Sequence, residues 1–333
     1  MSHDPTKASR DLLLKGDRGA LARAITLIES LATVQQQQGR DLIDSLPPAT
    51  EDGLRIGITG IPGVGKSTLI DALGMLLIGQ GHRVAVLAVD PSSARSGGSI
   101  LGDKTRMDRL AVNDAAFIRP TATGGTLGGV ARCTREAILL CEAAGYDRVV
   151  IETVGVGQNE LAVDRMTDIN ILLMIAGAGD ELQGIKRGIM ETADVVVLNK
   201  CDGPSNNACM NARNDLQHAI QLLPARANGR HPKVLLCSAL EGKGIPELAE
   251  HIHQLAALDK SSGAFTERRK SQQLDRVSSA VEQQLLEAFS RDERLLELRS
   301  ALDEKVLTGE LSPNRAAEQL IARFRTTGAP PRE

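Results

Sequence analysis

Seven short and almost wholly apolar runs recur through the middle of the chain. They are RIGITG (55–60), RVAVLAVD (83–90), AAFIRP (115–120), DRVVIET (147–153), INILLMI (169–175), DVVVLNK (194–200) and KVLLCSAL (233–240). A strand that is apolar on both faces is buried on both faces, as in a parallel sheet covered by helices. The segments between the runs have helical patterns. The sequence therefore predicts an α/β fold with a mainly parallel central sheet flanked by helices.

The first 50 residues follow a different pattern, with apolar positions at helical spacing. Leu21, Ile25 and Ile28 fall at i, i+4 and i+7, and Asp17 is suited to cap a helix. We expect helix from residue 10 to about 45, where the segment LPPATEDG then ends it. Residues 1–50 are therefore predicted to form an N-terminal helical extension.

After residue 260 the chain becomes helical and charged again. Leu274, Val277, Val281 and Leu285 form an apolar stripe, and the dipeptide at 312–313 has the sequence of a cap followed by a first-turn proline. Because these helices have no strand to cover, they need another surface, either the central domain or a second copy of the chain. We predict a central domain at 51–256 and a C-terminal helical arm at 257–333.

Composition excludes several classes of protein. The 333 residues carry a net charge of -3, and only 2% of them are aromatic. Neither the basic footprint nor the stacking platforms of a nucleic-acid-binding protein are therefore expected. The amino terminus lacks the apolar region of a signal peptide, and no apolar run reaches membrane-spanning length. We expect a cytoplasmic protein with no nucleic-acid or membrane partner.

The five cysteines are odd in number and include no C-x-x-C pair. This argues against both a disulfide framework and a zinc ribbon. We expect all five to be reduced thiols with a packing role.

The strongest chemical motif is GIPGVGKST, residues 60–68. It matches G-x-x-x-x-G-K-[ST] after a predicted strand and before a predicted helix, a context that disfavours a glycine-rich turn without nucleotide. Backbone N–H groups can curl around a phosphate here, Lys66 supplies a positive charge, and Ser67 can ligate Mg²⁺. The candidate phosphate-binding residues are Gly60, Gly63, Val64, Gly65, Lys66, Ser67 and Thr68.

A second motif, NKCD at 199–202, ends the sixth run. Asp202 can accept both the exocyclic amine and the ring N–H of guanine, a donor pair that adenine lacks. Asn199 can bond the ring edge and Lys200 can lie along the base, whereas Cys201, in the variable position, is expected to matter little. The order of these motifs favours GTP over ATP. The SAL sequence that closes the seventh run adds Ser238, Ala239 and Leu240 to the candidate guanine site.

Carboxylates at strand ends are the candidates for magnesium and hydrolysis. Asp90 ends RVAVLAVD, and Glu152 ends DRVVIE. Hard oxygen ligands around Mg²⁺ neutralise the charge that develops on a transferring phosphate. The candidate catalytic residues are therefore Lys66, Asp90 and Glu152. Glu152 stays open between metal ligand and general base, with a carboxylate that only caps a turn as the alternative.

The residue that follows the ETVG motif bears on the rate of hydrolysis. Ras-like proteins have a water-orienting glutamine there, but here the residue is Val156, and Gln158 comes two places later. We therefore expect slow intrinsic hydrolysis that a partner stimulates.

Two glycine-rich segments have the composition of loops that rearrange. The segment at 90–107 includes Asp103, which could approach the γ-phosphate or the metal. The segment GAGDELQGIKRG at 177–188 combines four glycines with charged and amide groups that could exchange partners. An ordinary solvated loop is the alternative for both.

Taken in order, the motifs GIPGVGKST, VDPSSARSGGSILGDKTRM, ETVGVGQNE, GAGDELQGIKRGIMETADVVVLNKCDG and SAL closely resemble the MeaB/ArgK family of P-loop GTPases. The resemblance covers residues 10 to about 325. It implies a P-loop GTPase domain with an N-terminal helical extension and a C-terminal dimerisation arm. It also implies a homodimer that hydrolyses GTP to GDP and acts as chaperone of an adenosylcobalamin-dependent acyl-CoA mutase, most often methylmalonyl-CoA mutase. Such chaperones gate cofactor loading and protect the mutase from inactivation.

The resemblance also implies roles for particular residues. Residues 66–68 would bind phosphates, and residues 177–188 would form a switch loop that relays the nucleotide state to the mutase. Adenosylcobalamin would be involved only through the partner. The ligands around Mg²⁺ would be Ser67, Asp90, Asp103 and Glu152, and the partner-coupling residues would be Asp180, Glu181, Gln183 and Lys186.

Two other functions are compatible with the same nucleotide site. One is a kinase, in line with the older family label of an arginine-transport kinase. The other is a nickel metallochaperone GTPase, which the lack of a His-rich tract or Cys/His cluster in the sequence disfavours. The sequence does not distinguish methylmalonyl-, isobutyryl- and ethylmalonyl-CoA mutase as clients.

Overall fold

The protein is described from a computed structural model. The structure describes residues 5–30, 32–48, 52–90, 107–122, 127–153, 160–176, 187–202, 206–226 and 229–327. The chain divides into two compact units, Met1–Gln273 and Leu274–Glu333. The three-domain division expected from the sequence stays a prediction.

A seven-stranded parallel sheet forms the centre of the first unit, as the sequence predicts. Its strands lie in the order β3-β2-β4-β1-β5-β6-β7, so the strand before the phosphate motif is central. Parallel pairing brings the carboxyl ends of all seven strands to one edge. The strands are β1 (Leu54–Gly60), β2 (Val84–Asp90), β3 (Ala116–Ala122), β4 (Arg148–Thr153), β5 (Ile169–Ile175), β6 (Val195–Asn199) and β7 (Lys233–Leu236).

Helices cover both faces of this sheet. Consecutive residues of β2 show why both faces are apolar: Val84 and Val86 enter one core cluster, while Ala85 and Leu87 enter a second one. The described helices of the first unit are α1 (Pro5–Leu14), α2 (Arg18–Glu29), α3 (Thr33–Asp44), α4 (Lys66–Gly79), α5 (Asp108–Ala111), α6 (Leu127–Ala143), α7 (Glu160–Asp164), α8 (Arg187–Thr192), α9 (Asn206–Gln221) and α10 (Ile245–Ser262).

The N-terminal extension consists of three helices and not the single helix expected over 10–45. The chain turns at Gly16, whose φ of 79° favours glycine. Asp17 then caps α2 by accepting from the Ala20 N–H, as predicted. Leu21 and Ile25 are fully buried in the cluster that includes α6 and strands β2 and β4. The extension is therefore part of the first unit's core.

A network of buried ion pairs lies at the amino edge of the sheet. Arg55, at the start of β1, donates to both carboxylate oxygens of Glu142 at 2.7 and 2.8 Å. Arg269 donates to both oxygens of Asp168 at 2.6 Å, and to Glu142 at 3.3 Å. Asp168 also accepts the backbone N–H of Arg55 at 2.7 Å. This network joins the base of the sheet to helix α11 (Ala264–Arg291).

The second unit begins within α11 and continues through α12 (Glu293–Leu307) and α13 (Pro313–Thr327). Pro313 opens α13 after Ser312, as the sequence predicts. The apolar stripe of Leu274, Val277 and Val281 is more than half exposed. None of the helices in the described residues is long and apolar enough to cross a bilayer.

Candidate nucleotide site

The loop between β1 and α4 holds the phosphate motif in a curl that glycine permits. Gly60 has a φ of 151° and Gly65 a φ of 97°. A Cβ on Gly60 would collide with the carbonyl oxygen of Leu173 on β5. Because Gly65 is the N-cap of α4 and has no side chain to cap it, the first N–H groups of the helix suit an anion. The loop therefore has the local geometry of a phosphate cradle.

Lys66 places its ammonium group over the same loop. Its Nζ donates to the carbonyl oxygens of Gly60 at 2.8 Å and Ile61 at 3.1 Å. The side chain is buried, because Lys66 is the first residue of α4 and folds back toward the end of β1. A fixed positive charge next to helix N–H groups favours negatively charged ligands.

Ser67 and Glu152 meet beside this cradle. The hydroxyl of Ser67 donates to Glu152 Oε1 at 3.2 Å, and both side chains are buried. Ser67 is in the first turn of α4, and Glu152 lies on β4, which pairs with β1. Asp90 is the last residue of β2, which pairs with β4 through Ala88 and Glu152. The fold thus brings Asp90 and Glu152 to neighbouring strand ends, and two predicted metal ligands into direct contact.

Asn199 connects the phosphate loop to the loop after β7. Its Nδ2 donates to the carbonyl oxygen of Val64 at 2.9 Å, and its Oδ1 accepts the Ala239 N–H at 3.0 Å. A Cβ on Gly65 would come within 2.5 Å of the same amide nitrogen. Sequence reasoning missed this bracing role, since it assigned the amide of Asn199 to the base. The backbone contacts depend on tertiary structure and leave no trace in the motif.

The rest of the NKCD motif is held close to β7. Lys200 has a φ of 60°, a left-handed conformation that is uncommon outside glycine. The Cys201 N–H donates to the Cys237 carbonyl at 3.0 Å. Asp202 follows in a half-buried position. The predicted guanine-binding residues at 199–202 and 238–240 therefore lie on adjacent strand ends.

The SAL segment forms a tight turn after β7. Ser238 and Ala239 are buried, whereas Leu240 is 82% exposed. Ser238 pairs with Lys243 across the turn, and its hydroxyl accepts the Glu241 N–H at 3.3 Å. This turn ends the strand earlier than the sequence pattern predicts, because the chain reverses direction at once to start α10.

Several predicted site residues lie outside the described part of the chain. These are Asp103, Val156 and Gln158, the segment 177–186 with its four predicted coupling residues, and the side chain of Asp90. Their roles stay predictions.

One expectation about the cysteines is wrong. Cys201 and Cys209 form a disulfide, while Cys133, Cys141 and Cys237 are free and buried, as expected. Sequence spacing gave no signal for this pair, since the bond depends on the position of α9 beside the end of β6.

The sheet order, the glycine cradle and the Lys66 position define a P-loop nucleotide-binding protein. A family model described as methylmalonyl-CoA mutase-associated GTPase MeaB matches residues 21–294. The chain belongs to this family and is a GTPase.

Relatives and a solved structure agree with this family. The chain is 50% identical to a probable GTPase of Mycobacterium tuberculosis over 92% of its own length and 91% of the relative's. It is 43% identical to the mitochondrial methylmalonic aciduria type A homolog of Mus musculus, over 94% of its own length and 78% of that protein's. A crystal structure described as a LAO/AO transport system kinase matches with a TM-score of 0.74 and 37% identity, over 98% of this chain and 99% of that one.

Proposed function

We propose that this GTPase is a chaperone of an adenosylcobalamin-dependent acyl-CoA mutase, with methylmalonyl-CoA mutase as the first candidate. The observation that carries the proposal is the family match over residues 21–294, whose description names the association with that mutase. The chaperone would gate cofactor loading and protect the mutase, and it would contact adenosylcobalamin only through its partner. The sequence similarity to the murine relative supports the same class of client.

The residues of the cradle would bind the phosphates of GTP. Lys66 supplies a positive charge to the β- and γ-phosphates, and the N–H groups from Gly63 to Thr68 supply hydrogen bonds. Asp202 would accept the two guanine N–H groups, while Lys200 lies along the base and the turn at 238–240 completes the pocket. Asn199 would keep the phosphate and guanine halves at a fixed distance through its two backbone contacts.

The donor set beside the cradle fits Mg²⁺. Ser67 and Glu152 offer a hydroxyl and a carboxylate within hydrogen-bond distance of each other, and hard oxygen donors are what this ion prefers. Among the described residues no group of three or more His, Cys, Asp or Glu side chains is placed to hold a metal. Mg²⁺ in phosphate sites needs few protein ligands, because waters and phosphates complete its shell. With Asp90 and Asp103 as the two further predicted ligands, a Mg²⁺ ion at this place would neutralise charge on the transferring phosphate.

Glu152 has a second role to offer at this site. Its buried carboxylate is fixed by β4 and by the Ser67 hydroxyl. It can therefore serve as a proton acceptor at a fixed place next to the phosphates. Metal ligation and orientation of the attacking water are both compatible with this position.

The segment 177–188 would relay the nucleotide state to the mutase. It begins two residues after the end of β5 and reaches the first two residues of α8, and β5 pairs with the phosphate strand β1. Order–disorder changes of such segments are a common means of GTPase signalling. Asp180, Glu181, Gln183 and Lys186 would provide the groups that change partners.

The C-terminal unit would join two copies of the chain. Leu274, Val277, Val281 and Leu285 form an exposed stripe on α11, and a stripe of this kind is typical of a helix that packs against another helix. Sedimentation analysis of the full chain tests the homodimer. A Val277→Glu, Val281→Glu variant should be monomeric, and a wild-type monomer would contradict the proposal.

The functional test is the rate of GTP hydrolysis with and without purified apo-mutase. We expect the mutase to bind the chain and to accelerate a slow intrinsic rate, while labelled phosphate goes to water. If the mutase neither binds nor accelerates hydrolysis, the chaperone proposal is wrong. The related structure described as a transport system kinase supports one rival, and transfer of label from γ-labelled GTP to a protein or small-molecule acceptor would favour it.

A further inference from the structure

The disulfide between Cys201 and Cys209 lies within the guanine motif itself. Cys201 stands between Lys200 and Asp202, and Cys209 is buried in the first turn of α9. Their Cα atoms are 5.9 Å apart, a usual separation for a disulfide. The bond therefore ties the residue before Asp202 to a helix that packs on β7.

Among the described residues, the hydrogen bonds that hold this loop lie on the strand side of Cys201. The Cys201 N–H donates to the Cys237 carbonyl at 3.0 Å, and the Cys237 N–H donates to the Leu198 carbonyl at 2.8 Å. Asn199 is held through its side chain. On the other side, Asp202 comes next and is half-buried. A covalent bond at Cys201 thus restrains the backbone directly before the carboxylate that would select guanine.

The remaining thiols are poorly suited to exchange with this pair. Burial raises the pKa of Cys133 to about 11 and that of Cys237 to about 12, and burial raises the pKa of Cys141 as well. The thiolate is the reactive form of cysteine, so these three side chains stay protonated and unreactive. Cys201 is half-buried and is the end of the pair that a small thiol or disulfide can reach.

We propose that Cys201 and Cys209 form a reversible dithiol–disulfide site that controls how tightly the guanine loop retains its nucleotide. The inference rests on the guanine-binding role proposed above for Asp202 and its neighbours. Disulfides in reducing compartments usually have a transient, redox-sensing function, and this one is placed where its formation would matter to ligand binding.

A small disulfide such as oxidised glutathione supplies the oxidising equivalents. The Cys201 thiolate attacks one glutathione sulfur and releases the first glutathione thiolate, leaving a mixed disulfide. The Cys209 thiolate then attacks the Cys201 sulfur and releases the second. The two protein thiols lose two protons and two electrons, and one glutathione disulfide becomes two glutathione thiols. Excess glutathione thiol reverses both steps.

The oxidised state should be the one that retains nucleotide more tightly. In that state the bond to Cys209 restrains the backbone at Cys201, directly before Asp202, so the loop has less freedom to lose when the base arrives. A ligand that binds a pre-ordered site loses less of its binding free energy to ordering. Reduction should therefore speed nucleotide dissociation by roughly three- to tenfold.

The test uses the full chain, equilibrated in oxidised or in reduced glutathione, with fluorescent N-methylanthraniloyl-GDP as the probe. Unreduced peptide mass spectrometry reports whether Cys201 and Cys209 are joined, and stopped-flow chase with GDP gives the dissociation rate. We expect faster dissociation in the reduced sample. The probe should dissociate rapidly from Cys209→Ser in both buffers. Its dissociation from the matched control Cys133→Ala should respond to redox state as it does in the wild type.

Three results would overturn the proposal. One is the absence of the joined peptide in oxidised glutathione. The second is a dissociation rate that is equal in the two states, or slower after reduction. The third is a redox response that persists in Cys209→Ser. If the probe binds in neither buffer, the proposed guanine site is wrong, and the peptide masses still decide whether the pair forms.

Discussion

The two edges of the central sheet hold charged side chains in different ways. At the amino edge, Arg55 and Arg269 meet Glu142 and Asp168 in close ion pairs. At the carboxyl edge, Lys66 donates to backbone carbonyl oxygens, and Glu152 accepts from the neutral hydroxyl of Ser67. Both sets are buried except for the half-buried Arg269, so burial alone does not distinguish them.

The two edges differ in the contacts that the structure describes for these charges. Opposite charges face each other at the amino edge, and breaking such a pair leaves the partner buried and uncompensated. At the carboxyl edge the described contacts of Lys66 and Glu152 are with neutral groups, and fixed charges beside a ligand site can stabilise a phosphate or a metal ion. The amino edge should therefore determine stability, and the carboxyl edge should determine nucleotide binding and hydrolysis.

The largest effect should come from the lysine of the cradle. We expect Lys66→Ala to lower the rate of GTP hydrolysis by about 10³-fold, because one charge-assisted donor to the transferring phosphate is lost. A phosphate-release assay on the folded variant measures this. The exposed Lys305→Ala is the control and should hydrolyse GTP at the wild-type rate. Wild-type activity in Lys66→Ala would show that hydrolysis occurs elsewhere.

The next effect should be on stability at the opposite edge. Arg269→Ala leaves Asp168 with a buried charge and should cost about 3 to 5 kcal/mol of unfolding free energy in urea titration. Nucleotide affinity of the folded variant should stay within about twofold, since the site is at the other edge. Its neighbour Lys270, exposed and paired only with the exposed Glu267 among the contacts described, provides the control Lys270→Ala with a loss below about 0.5 kcal/mol. If Arg269→Ala is as stable as the wild type but binds nucleotide more weakly, the claim that the amino edge determines stability and the carboxyl edge nucleotide binding is wrong.

A smaller change should separate base recognition from phosphate binding. Asp202→Asn should weaken GTP binding by about thirty- to a hundredfold, because hydrogen bonds to a charged acceptor are lost, and should favour xanthosine triphosphate. Calorimetric titration measures the affinities of the wild type and the variant for GTP and for xanthosine triphosphate. If the preference for GTP is unchanged, the motif at 199–202 does not read the base.

The smallest effect should be a pH dependence of the unfolding free energy that comes from Glu142 at the amino edge. Burial would raise the pKa of Glu142, but hydrogen bonds and charges from Arg55 and Arg269 outweigh it and lower the pKa below its ordinary value of 4.5. A lowered folded-state pKa means that the unfolded chain binds more protons in this range, so stability is lost as pH falls below 4.5. Denaturation of wild type and Glu142→Gln across pH 3 to 6 should show a steeper loss in the wild type, and parallel curves would contradict this origin.

The sequence predicts the strands and the phosphate loop well because their signals are local. Each of the seven apolar runs corresponds to one strand, because a strand buried on both faces has a continuous apolar sequence that can be recognised without knowing its neighbours. The same local rules place Lys66 and Ser67 at the start of α4. The motif assigns them to phosphate without knowledge of the rest of the chain.

The parts that the sequence did not predict depend on contacts between distant residues. The two backbone contacts of Asn199 span 135 and 40 positions, and the ion pair of Arg269 with Asp168 spans 101. The helix expected over 10–45 is divided, and its first break comes at Gly16, whose left-handed conformation separates α1 from α2. The disulfide of Cys201 is also invisible in the spacing of the cysteines.

Hydrogen–deuterium exchange of the full chain, with and without saturating GDP and Mg²⁺, tests the central claim most directly. The claim is that guanine nucleotide binds at the carboxyl edge and leaves the amino edge unchanged. We predict strong protection of residues 60–68, 199–202 and 238–240, with unaltered exchange in residues 264–272 of α11. Protection centred on the amino edge, or none at the carboxyl edge, would contradict it.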